Sequence, residues 1–405
     1  MITFDQALAK ILALEFTRKT ERISLLAACG RVLAQDVAAP WPLPRFDHAT
    51  MDGFAVRAED LRLASADAPI ALPIAGESAA GHPFAGEVAP GRAIRISTGA
   101  PIPAGCDAVV PIERVSVVMD SIATTIPTQP GASILRRGTN IAQGAPLLAR
   151  GTRLMPTQVA ALASFNCSEV EVFARPRVAI LTSGDEVKTL GGTIGDADVV
   201  DGTTPYLLME LGACGCEARA FGIAPDDEDS YRNLYTEALD WADIVVTTGG
   251  VSVGPHDVVG RVLGSLDARI VLSKVAIRPG KPMLVAQVAG KIHFGLPGNP
   301  LSALCNTEIF VKPFLRRVFG MNPQVTPREK VRLLESFQPD RQRLFFIHSR
   351  VSIMDEARVV RPLPNQNSAN VVNAGLANAL IVAPPGEGKV QEGTMVSVHH
   401  IGQGL

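Results

Sequence analysis

The first apolar positions of the chain recur at helical spacing. Ala7, Leu8 and Ile11 fall on one face of a helix, and Thr3 followed by Gln6 forms a capping box at its start. The pattern predicts an amphipathic helix near the N-terminus. The proline-rich segment 40–44 cannot continue a helix, because proline lacks the backbone N–H and restricts the residue before it. We expect an extended connector and a crossing between domains there.

Short apolar runs separated by glycine and proline occupy residues 53–135. Two of these runs are 93–97 and 108–112. Runs of this length between turn residues are typical of short strands. This part of the chain is predicted to be a small β domain.

From residue 177 to residue 320, β-rich runs alternate with segments of helical periodicity. This alternation indicates an α/β domain with a parallel sheet and crossover helices. One helix is well delimited, with Thr204 as N-cap, Pro205 at its first position and Gly212 just beyond its end. The predicted strands are 178–182, 217–221, 244–248, 269–275, 283–286 and 292–295.

Beyond residue 323 the pattern returns to strands separated by proline, glycine and asparagine turns. This pattern predicts a terminal β barrel or sandwich. The predicted strands are 331–337, 344–353, 358–361, 379–382 and 395–399.

Composition narrows the function classes. The length of 405 residues exceeds the roughly 100–200 residues of one domain, so several domains are expected. A formal net charge of −2 gives no basic excess, which argues against nucleic acid or an acidic membrane as a partner. The six scattered cysteines form no CxxC pair, and buried thiols in a reducing compartment fit them best. With no signal-peptide pattern and no apolar run of about 18 residues, we expect a cytoplasmic protein.

Candidate chemistry concentrates where the predicted parallel strands end, which is where open α/β sheets bind ligands. One loop combines hydroxyls, which can hold an anion, with carboxylates, which can hold a cation. A second loop, 247–257, has paired glycines that let backbone N–H groups approach a phosphate. The residues concerned are Thr182, Ser183, Gly184, Asp185 and Glu186 in the first loop, and Gly249, Gly250, Ser252, Gly254 and Asp257 in the second.

Two further segments add cations and an anion-binding turn. Residues 274–282 place Lys274, Arg278 and Lys281 around a turn. The segment 296–302 runs from a strand into a helix, whose first amides favour an anion. Together the segments predict a phosphorylated or oxyanionic ligand bridged to a divalent cation. Neither a Walker A loop nor a dinucleotide-binding glycine fingerprint is present, so ATP hydrolysis and NAD chemistry lose support.

The motifs TSGDE, TTGGVSVG, RPGKP and LPGNPLS, in this order, resemble those of the molybdopterin molybdotransferases, the MoeA and gephyrin E-domain family. Residues 48–55 are similar to the family's SAMDGYA segment, and residues 96–110 to its TGAxxPxGADAVV segment. The resemblance therefore spans almost the whole chain.

The resemblance implies a multidomain α/β plus β fold and a homodimer. Its parts are an elongated N-terminal domain (1–45 and 139–173), an inserted β domain (46–138), a molybdopterin-binding three-layer α/β domain (174–324) and a C-terminal β barrel (325–405). The implied reaction inserts molybdate into adenylylated molybdopterin and releases AMP with help from Mg²⁺ or another divalent cation. Molybdoenzymes that receive the cofactor are the implied partners.

The resemblance also suggests roles for individual residues. The implied catalytic residues are Asp52, Glu186 and Asp257, and the implied cation ligands are Glu186, Asp227 and Asp257. In the family the cleft lies between two subunits, which would bring Asp52 and Thr98 to the α/β loops of the partner. The implied substrate-binding residues are Thr98, Thr182, Ser183, Gly184, Asp185, Gly249, Gly250, Ser252, Gly254, Lys274, Lys281, Pro297, Gly298, Asn299, Pro300, Ser302 and Ser368. The structural alternative for each aspartate is a cap of a turn or helix.

The chain departs from the family pattern at several positions. Asn140 stands where the family usually has an acidic residue, and Pro255 and His256 replace another. Asp201 begins an altered DSN segment, and Ala369 follows Ser368 where the family has glycine. These departures favour an alternative function, a non-catalytic molybdopterin-binding paralogue that delivers or senses cofactor. The preceding adenylylation of molybdopterin and a purely structural scaffold are further alternatives.

Overall fold

A computed structural model of the chain describes residues 1–250, 258–321 and 328–402. The described chain forms two compact units. The first comprises Met1–Gln35, Arg150–Val159 and Ser168–Leu405, and the second comprises Asp36–Ala149 and Ala160–Cys167. The helices are α1 Phe4–Leu12, α2 Pro156–Ala163, α3 Thr203–Ala213, α4 Glu228–Trp241, α5 Val258–Ser265, α6 Pro300–Asn306, α7 Lys312–Val318 and α8 Val371–Leu376.

The strands fall into two groups along the chain. Those before residue 175 are β1 Thr20–Ser24, β2 Val37–Ala38, β3 His48–Ala49, β4 Gly53–Val56, β5 Ile70–Ser78, β6 Ala93–Ile96, β7 Ala108–Pro111, β8 Ser116–Val118, β9 Ser121–Thr124, β10 Ile134–Leu135, β11 Pro146–Leu148 and β12 Glu169–Phe173. The later ones are β13 Arg177–Ser183, β14 Val187–Lys188, β15 Val199–Val200, β16 Glu217–Ala224, β17 Ile244–Thr248, β18 Arg269–Lys274, β19 Ile277–Arg278, β20 Pro282–Val288, β21 Lys291–Leu296, β22 Glu329–Leu333, β23 Leu344–Met354, β24 Ala357–Pro362, β25 Ala379–Ala383 and β26 Met395–His400.

The N-terminal helix forms as its capping box predicts. The Thr3 side chain accepts a hydrogen bond from the Gln6 backbone N–H at 3.3 Å, and the Gln6 side chain accepts one from the Thr3 N–H at 3.1 Å. Two otherwise unsatisfied donors at the helix end are thereby paired. The apolar face, with Phe4, Ala7 and Ile11, is buried in the same core as β13 and β17.

The α/β sheet of the first unit has the strand order β16-β13-β17-β21-β20-β18. Alternate residues of β13 enter different cores, with Ile180 in one and Leu181 in the other, so the strand is buried on both faces. β16, β13, β17 and β21 are parallel to one another, as predicted. β20 and β18 are antiparallel, which corrects the expectation of a wholly parallel sheet. β20 and β21 are joined by Ala289 and Gly290, both at positive φ, and two residues cannot make a crossover connection.

The C-terminal strands close into a barrel rather than a sandwich. The order β23-β24-β22-β26-β25 is completed by pairing of β25 with β23, which leaves a closed ring of five strands. Alternate apolar residues of these strands, including Val331, Ile347 and Ile381, form its interior. Closure satisfies the backbone groups that an edge strand would leave unpaired.

The second unit is built on the predicted β structure. Its main sheet has the order β7-β4-β6-β5-β9-β8. Phe54 and Val110 lie in its core. The cysteines of both units are free thiols; Cys214, Cys216 and Cys305 are buried as expected, whereas Cys29 is exposed. No helix among the described residues is long and apolar enough to span a membrane.

Candidate functional site

Three loops lie side by side at the carboxyl edge of the α/β sheet. Thr182 of β13 pairs in register with Thr248 of β17, which pairs with Leu296 of β21. The loops that begin at Ser183, Gly249 and Pro297 therefore leave neighbouring strands at one level. The structure thus brings together the segments that the sequence predicted to form a crevice.

A cluster of buried hydroxyls holds this edge together. The Thr182 hydroxyl donates its one proton to an Asp201 carboxylate oxygen at 3.2 Å. Because that proton is used, the hydroxyls of Thr204 and Thr248 donate to the Thr182 oxygen, at 2.8 and 3.0 Å respectively. The other Asp201 oxygen accepts from the backbone N–H groups of Thr203 and Thr204, both at 3.0 Å. Asp201 therefore ties the start of α3 to β13 and β17.

The structure corrects the predicted bounds of α3. The helix begins at Thr203 rather than after Thr204, and it extends to Ala213 rather than ending before Gly212. The sequence signal for Asp201 is its place in the altered DSN segment. Thr204 is within the first turn and contributes its hydroxyl to the cluster instead of capping the helix.

A second group of residues, which we call the glycine edge, consists of Ser183, Gly249, Gly250 and Gly298. A Cβ atom at Gly249 would lie 2.6 Å from the Ser183 carbonyl oxygen, and one at Gly250 would lie 3.0 Å from the Ser183 Oγ. Both glycines have positive φ, at 85° and 61°. A Cβ at Gly298 would lie 3.4 Å from the Gly249 Cα. Larger residues are therefore excluded at Gly249 and Gly250 by contact and by backbone conformation.

Ser183 has an unusual hydrogen-bonding state. Its side chain is buried, and its Oγ has no hydrogen-bond partner among the described residues. A buried hydroxyl without a partner loses its hydration without compensation. The Oγ is therefore available to a ligand at the glycine edge.

Three of the predicted acidic residues, Asp185, Glu186 and Asp227, lie on the adjacent loops after β13 and β16. A carboxylate oxygen of Asp185 accepts from the Asp226 backbone N–H at 3.2 Å, which joins the loops after β13 and β16. Asp227 caps α4 by accepting from the Ser230 N–H at 2.8 Å, and this bond lowers the pKa of Asp227. Glu186 is exposed, and its carboxylate makes no hydrogen bond or ion pair within the described chain. No three metal-binding side chains cluster among the residues that the structure describes.

Further predicted site residues follow β17 in the sequence. Ser252, Gly254 and Asp257 lie outside the described residues, as do Pro255 and His256. Asp185, Gly184 and Glu186 are placed with the loop after β13, where a Cβ at Gly184 would lie 2.7 Å from a Glu186 carboxylate oxygen.

An open cleft of about 660 Å³ lies beside the glycine edge. Three side-chain cations border it, namely Arg278, Lys281 and Arg343. We call it the cationic cleft; its lining also includes the predicted substrate-binding residues Pro297, Asn299, Ser302 and Ser368. The barrel segment is held against α6 by a hydrogen bond from the Leu301 N–H to the Ser368 carbonyl oxygen at 3.0 Å.

The cations of the cleft differ in how they are held. The Arg278 guanidinium lies 4.5 Å from the ring centre of Phe345, and Arg343 forms an ion pair with Asp340 at 2.7 Å. Burial opposes ionisation of Asp340, but the Arg343 hydrogen bond and charge lower its pKa to about 2. Lys281 is exposed and forms no ion pair with any described residue. Of the three cations, Lys281 is therefore the most available to an anionic ligand.

The sequence predicted two of these cations, Arg278 and Lys281, together with Lys274, which lies elsewhere. It missed Arg343, which comes from the barrel and had no sequence signal. Lys274 ends β18 opposite Pro282 and is not among the described residues that line the cleft. Pro300, also predicted to bind substrate, borders a different cavity.

Asp52 and Thr98 of the second unit meet each other. One Asp52 carboxylate oxygen accepts from the Thr98 backbone N–H at 2.7 Å and from its hydroxyl at 2.8 Å. These two hydrogen bonds lower the pKa of Asp52. Asp52 is therefore an exposed, ionised carboxylate immediately before β4, and Asn140 is exposed in the same unit.

Comparisons with known proteins cover nearly the whole chain. Family models match at residues 2–166 ("MoeA N-terminal region (domain I and II)"), 179–317 ("Probable molybdopterin binding domain") and 330–401 ("MoeA C-terminal region (domain IV)"). The molybdopterin molybdenumtransferase of Nostoc sp. is 34% identical over 390 residues, which covers 95% of this chain and 89% of that protein. The molybdopterin molybdenumtransferase of Staphylococcus aureus is 30% identical over 98% of this chain and 95% of its own length. The crystal structure of a molybdopterin biosynthesis MoeA protein from Pyrococcus horikoshii superposes with a TM-score of 0.86 at 30% identity, covering 98% of both chains.

Proposed function

The chain belongs to the MoeA family of molybdopterin molybdenumtransferases, and we propose that it inserts molybdate into adenylylated molybdopterin with release of AMP. As a family member it is a transferase of molybdenum cofactor biosynthesis. The main support for the proposed insertion of molybdate and release of AMP is that the glycine edge adjoins the cationic cleft. Pro297 lines the cleft, and the next residue, Gly298, contacts Gly249.

The proposed chemistry needs groups that bind oxyanions. Breaking the phosphate anhydride of the substrate leaves negative charge on the departing AMP, and placed cations and donors stabilise that charge. Lys281 and Arg343 supply positive charge, and the Ser183 hydroxyl and the glycine-edge backbone supply hydrogen bonds. Molybdate, a doubly charged oxyanion, is bound by the same kinds of group.

The donor set of the acidic loops fits a divalent cation. Mg²⁺ prefers oxygen ligands and binds through one or two carboxylates together with substrate phosphates. The Glu186 carboxylate is exposed, and Asp227 has one oxygen that its capping bond does not use. In the proposal Glu186, Asp227 and Asp257 hold Mg²⁺, which would neutralise phosphate charge when bound.

Further parts of the proposal concern assembly and surroundings. We propose a cytoplasmic homodimer in which Asp52 and Thr98 of one subunit complete the site of the other, with Asp52 as an acid–base residue. The four-domain division at residues 45, 138, 173 and 324 is retained as a proposal. Molybdoenzymes that receive the cofactor are the proposed partners. The relatives named above are called molybdopterin molybdenumtransferases or molybdopterin biosynthesis proteins. These names give no support to the non-catalytic alternative.

Purified protein incubated with adenylylated molybdopterin, molybdate and Mg²⁺ tests the proposal. We expect release of AMP and activation of an apo-molybdoenzyme added afterwards. Lys281→Ala should reduce AMP release by roughly 10-fold or more, because a charged hydrogen bond contributes about 1.5–3 kcal/mol. Lys389→Ala, at another exposed lysine outside the cleft, is the matched control. Substrate binding without AMP release would instead identify a non-catalytic paralogue.

A further inference from the structure

A second cavity, of about 360 Å³, lies between α3, α6, α8 and the barrel. We call it the α3–α8 cavity. Gly202 and Pro300 border it. Their chain neighbours Asp201 and Asn299 belong to the hydroxyl cluster and the cationic cleft, respectively. The cavity therefore opens next to the site described above, but it has a different lining.

Most of the lining is apolar, and the exceptions include two acids. Lys312 donates to a Glu210 oxygen and to a Glu308 oxygen, both at 2.7 Å. The other Glu308 oxygen is 2.9 Å from the His399 Nε2. Both oxygens of Glu308 are thus engaged, whereas Glu210 keeps Oε2 without a partner in the described chain. Glu210 lines the cavity, so this oxygen is an available acceptor.

Glu308 and Lys312 remain ionised as a pair. Burial raises the pKa of Glu308, but His399 and Lys312 outweigh it, so the pKa lies below its ordinary value. Burial lowers the pKa of Lys312, yet the charges of Glu308 and Glu210 raise it overall. Two carboxylates facing one ammonium leave an excess of negative charge beside the cavity. A ligand rich in N–H donors is favoured there.

His348 provides a second polar group without a partner. Its side chain is 2% exposed, it lines the cavity, and its ring makes no hydrogen bond within the described chain. Burial lowers its pKa to about 4, so the ring is neutral at neutral pH and offers one N–H donor and one lone pair. Unpaired buried polar groups are unfavourable, and a bound polar ligand would remove that penalty.

We propose that the α3–α8 cavity binds the aminopyrimidinone edge of the pterin ring, with Glu210 accepting its N–H donors and apolar walls enclosing the flat ring. This inference rests on the proposed function. The exocyclic amino group and the adjacent ring N–H form a guanidine-like pair, which matches a carboxylate. A cavity of 360 Å³ is within the size range of small-molecule sites.

Fluorescence titration with free pterin, in the absence of molybdate, tests the inference on the full-length protein. Lumazine, which has an oxo group in place of the exocyclic amino group, is the comparison ligand. We expect saturable binding of pterin and binding of lumazine weaker by roughly 10-fold or more, since a charged hydrogen bond is lost. Equal binding of the two ligands, or no saturable binding of pterin, would overturn the assignment to an aminopyrimidinone.

Variants localise the binding. Leu304→Trp fills the cavity from α6 and should abolish pterin binding, whereas Leu376→Trp, at a half-exposed position outside the lining, should leave it unchanged. Glu210→Gln preserves the side-chain volume and should weaken pterin binding while leaving lumazine binding nearly constant. Circular dichroism checks folding, and Glu210→Gln decides the question if Leu304→Trp misfolds. Pterin binding that survives both substitutions would place the ring elsewhere.

The AMP-release assay separates failure of this inference from failure of the proposed function. The cavity assignment alone would be refuted if the wild-type protein releases AMP and Leu304→Trp leaves pterin binding unchanged. Pterin binding that depends on the cavity, with no AMP release, would refute the proposed reaction alone.

Discussion

Replacement of Ser183 by alanine should make the free protein more stable and the enzyme less active. The Ser183 Oγ is buried with no partner in the described chain, so its removal relieves a desolvation cost of roughly 1–2 kcal/mol. For a cooperative unit of about 150–250 residues, 1 kcal/mol moves the thermal midpoint by about 2–4 °C, and the larger unit that contains Ser183 falls at the low end of that range. We therefore expect Ser183→Ala to raise the midpoint of the ligand-free protein by a few degrees.

The same substitution should reduce AMP release. A hydrogen bond to a charged oxygen contributes about 1.5–3 kcal/mol, which corresponds to a loss of roughly 10- to 150-fold. Differential scanning calorimetry and the AMP-release assay on one preparation measure both effects. The opposite signs are informative, because replacement of a merely structural serine would lower stability instead of raising it.

Ser349→Ala is the matched control. Ser349 is also fully buried, but its hydroxyl donates to the Ile347 carbonyl oxygen at 2.8 Å. Its loss should lower the thermal midpoint by an amount that corresponds to about 1 kcal/mol, with AMP release unchanged. A Ser183→Ala variant that loses as much stability as Ser349→Ala, or that keeps full activity, would refute the idea that the Ser183 hydroxyl is reserved for a ligand.

Three other predictions concern the described interior. Lys312→Met leaves Glu210 and Glu308 facing each other without the ammonium, so urea titration should show a loss of about 3–5 kcal/mol; a loss under about 1 kcal/mol would contradict the ion-pair account. Because burial lowers the pKa of His348 from 6.5 to about 4, the unfolded state binds more protons in that interval, and stability should fall by roughly 3 kcal/mol as pH drops through it. His348→Asn should flatten that pH dependence, and an unchanged slope would assign it to other groups. Thr182→Val keeps the side-chain shape but removes the central hydroxyl of the cluster, so the free energy of unfolding should fall by about 1–3 kcal/mol. A variant with wild-type stability and activity would show that the cluster does not position the strand ends.

Local patterns in the sequence were sufficient for the elements that short-range physics decides. The Thr3–Gln6 capping box predicted the first helix, because both partners lie within one turn. The strands of the α/β domain and the barrel were predicted within a few residues, since apolar runs bounded by turns identify them. The glycine-rich and hydroxyl-rich loops were predicted because their residue types are unusual at strand ends. In each case the determining contacts are close in sequence.

Tertiary structure decided what depends on distant pairing. The direction of β20 and β18, the closure of β25 onto β23 and the role of Asp201 at the start of α3 follow from contacts between separate segments. Arg343 reaches the cleft from the barrel, about 60 residues after the RPGKP motif, so no local pattern could identify it. A sequence determines which side chains are available at each strand end, but the fold decides which of them share a cavity, because that depends on the packing of elements far apart along the chain.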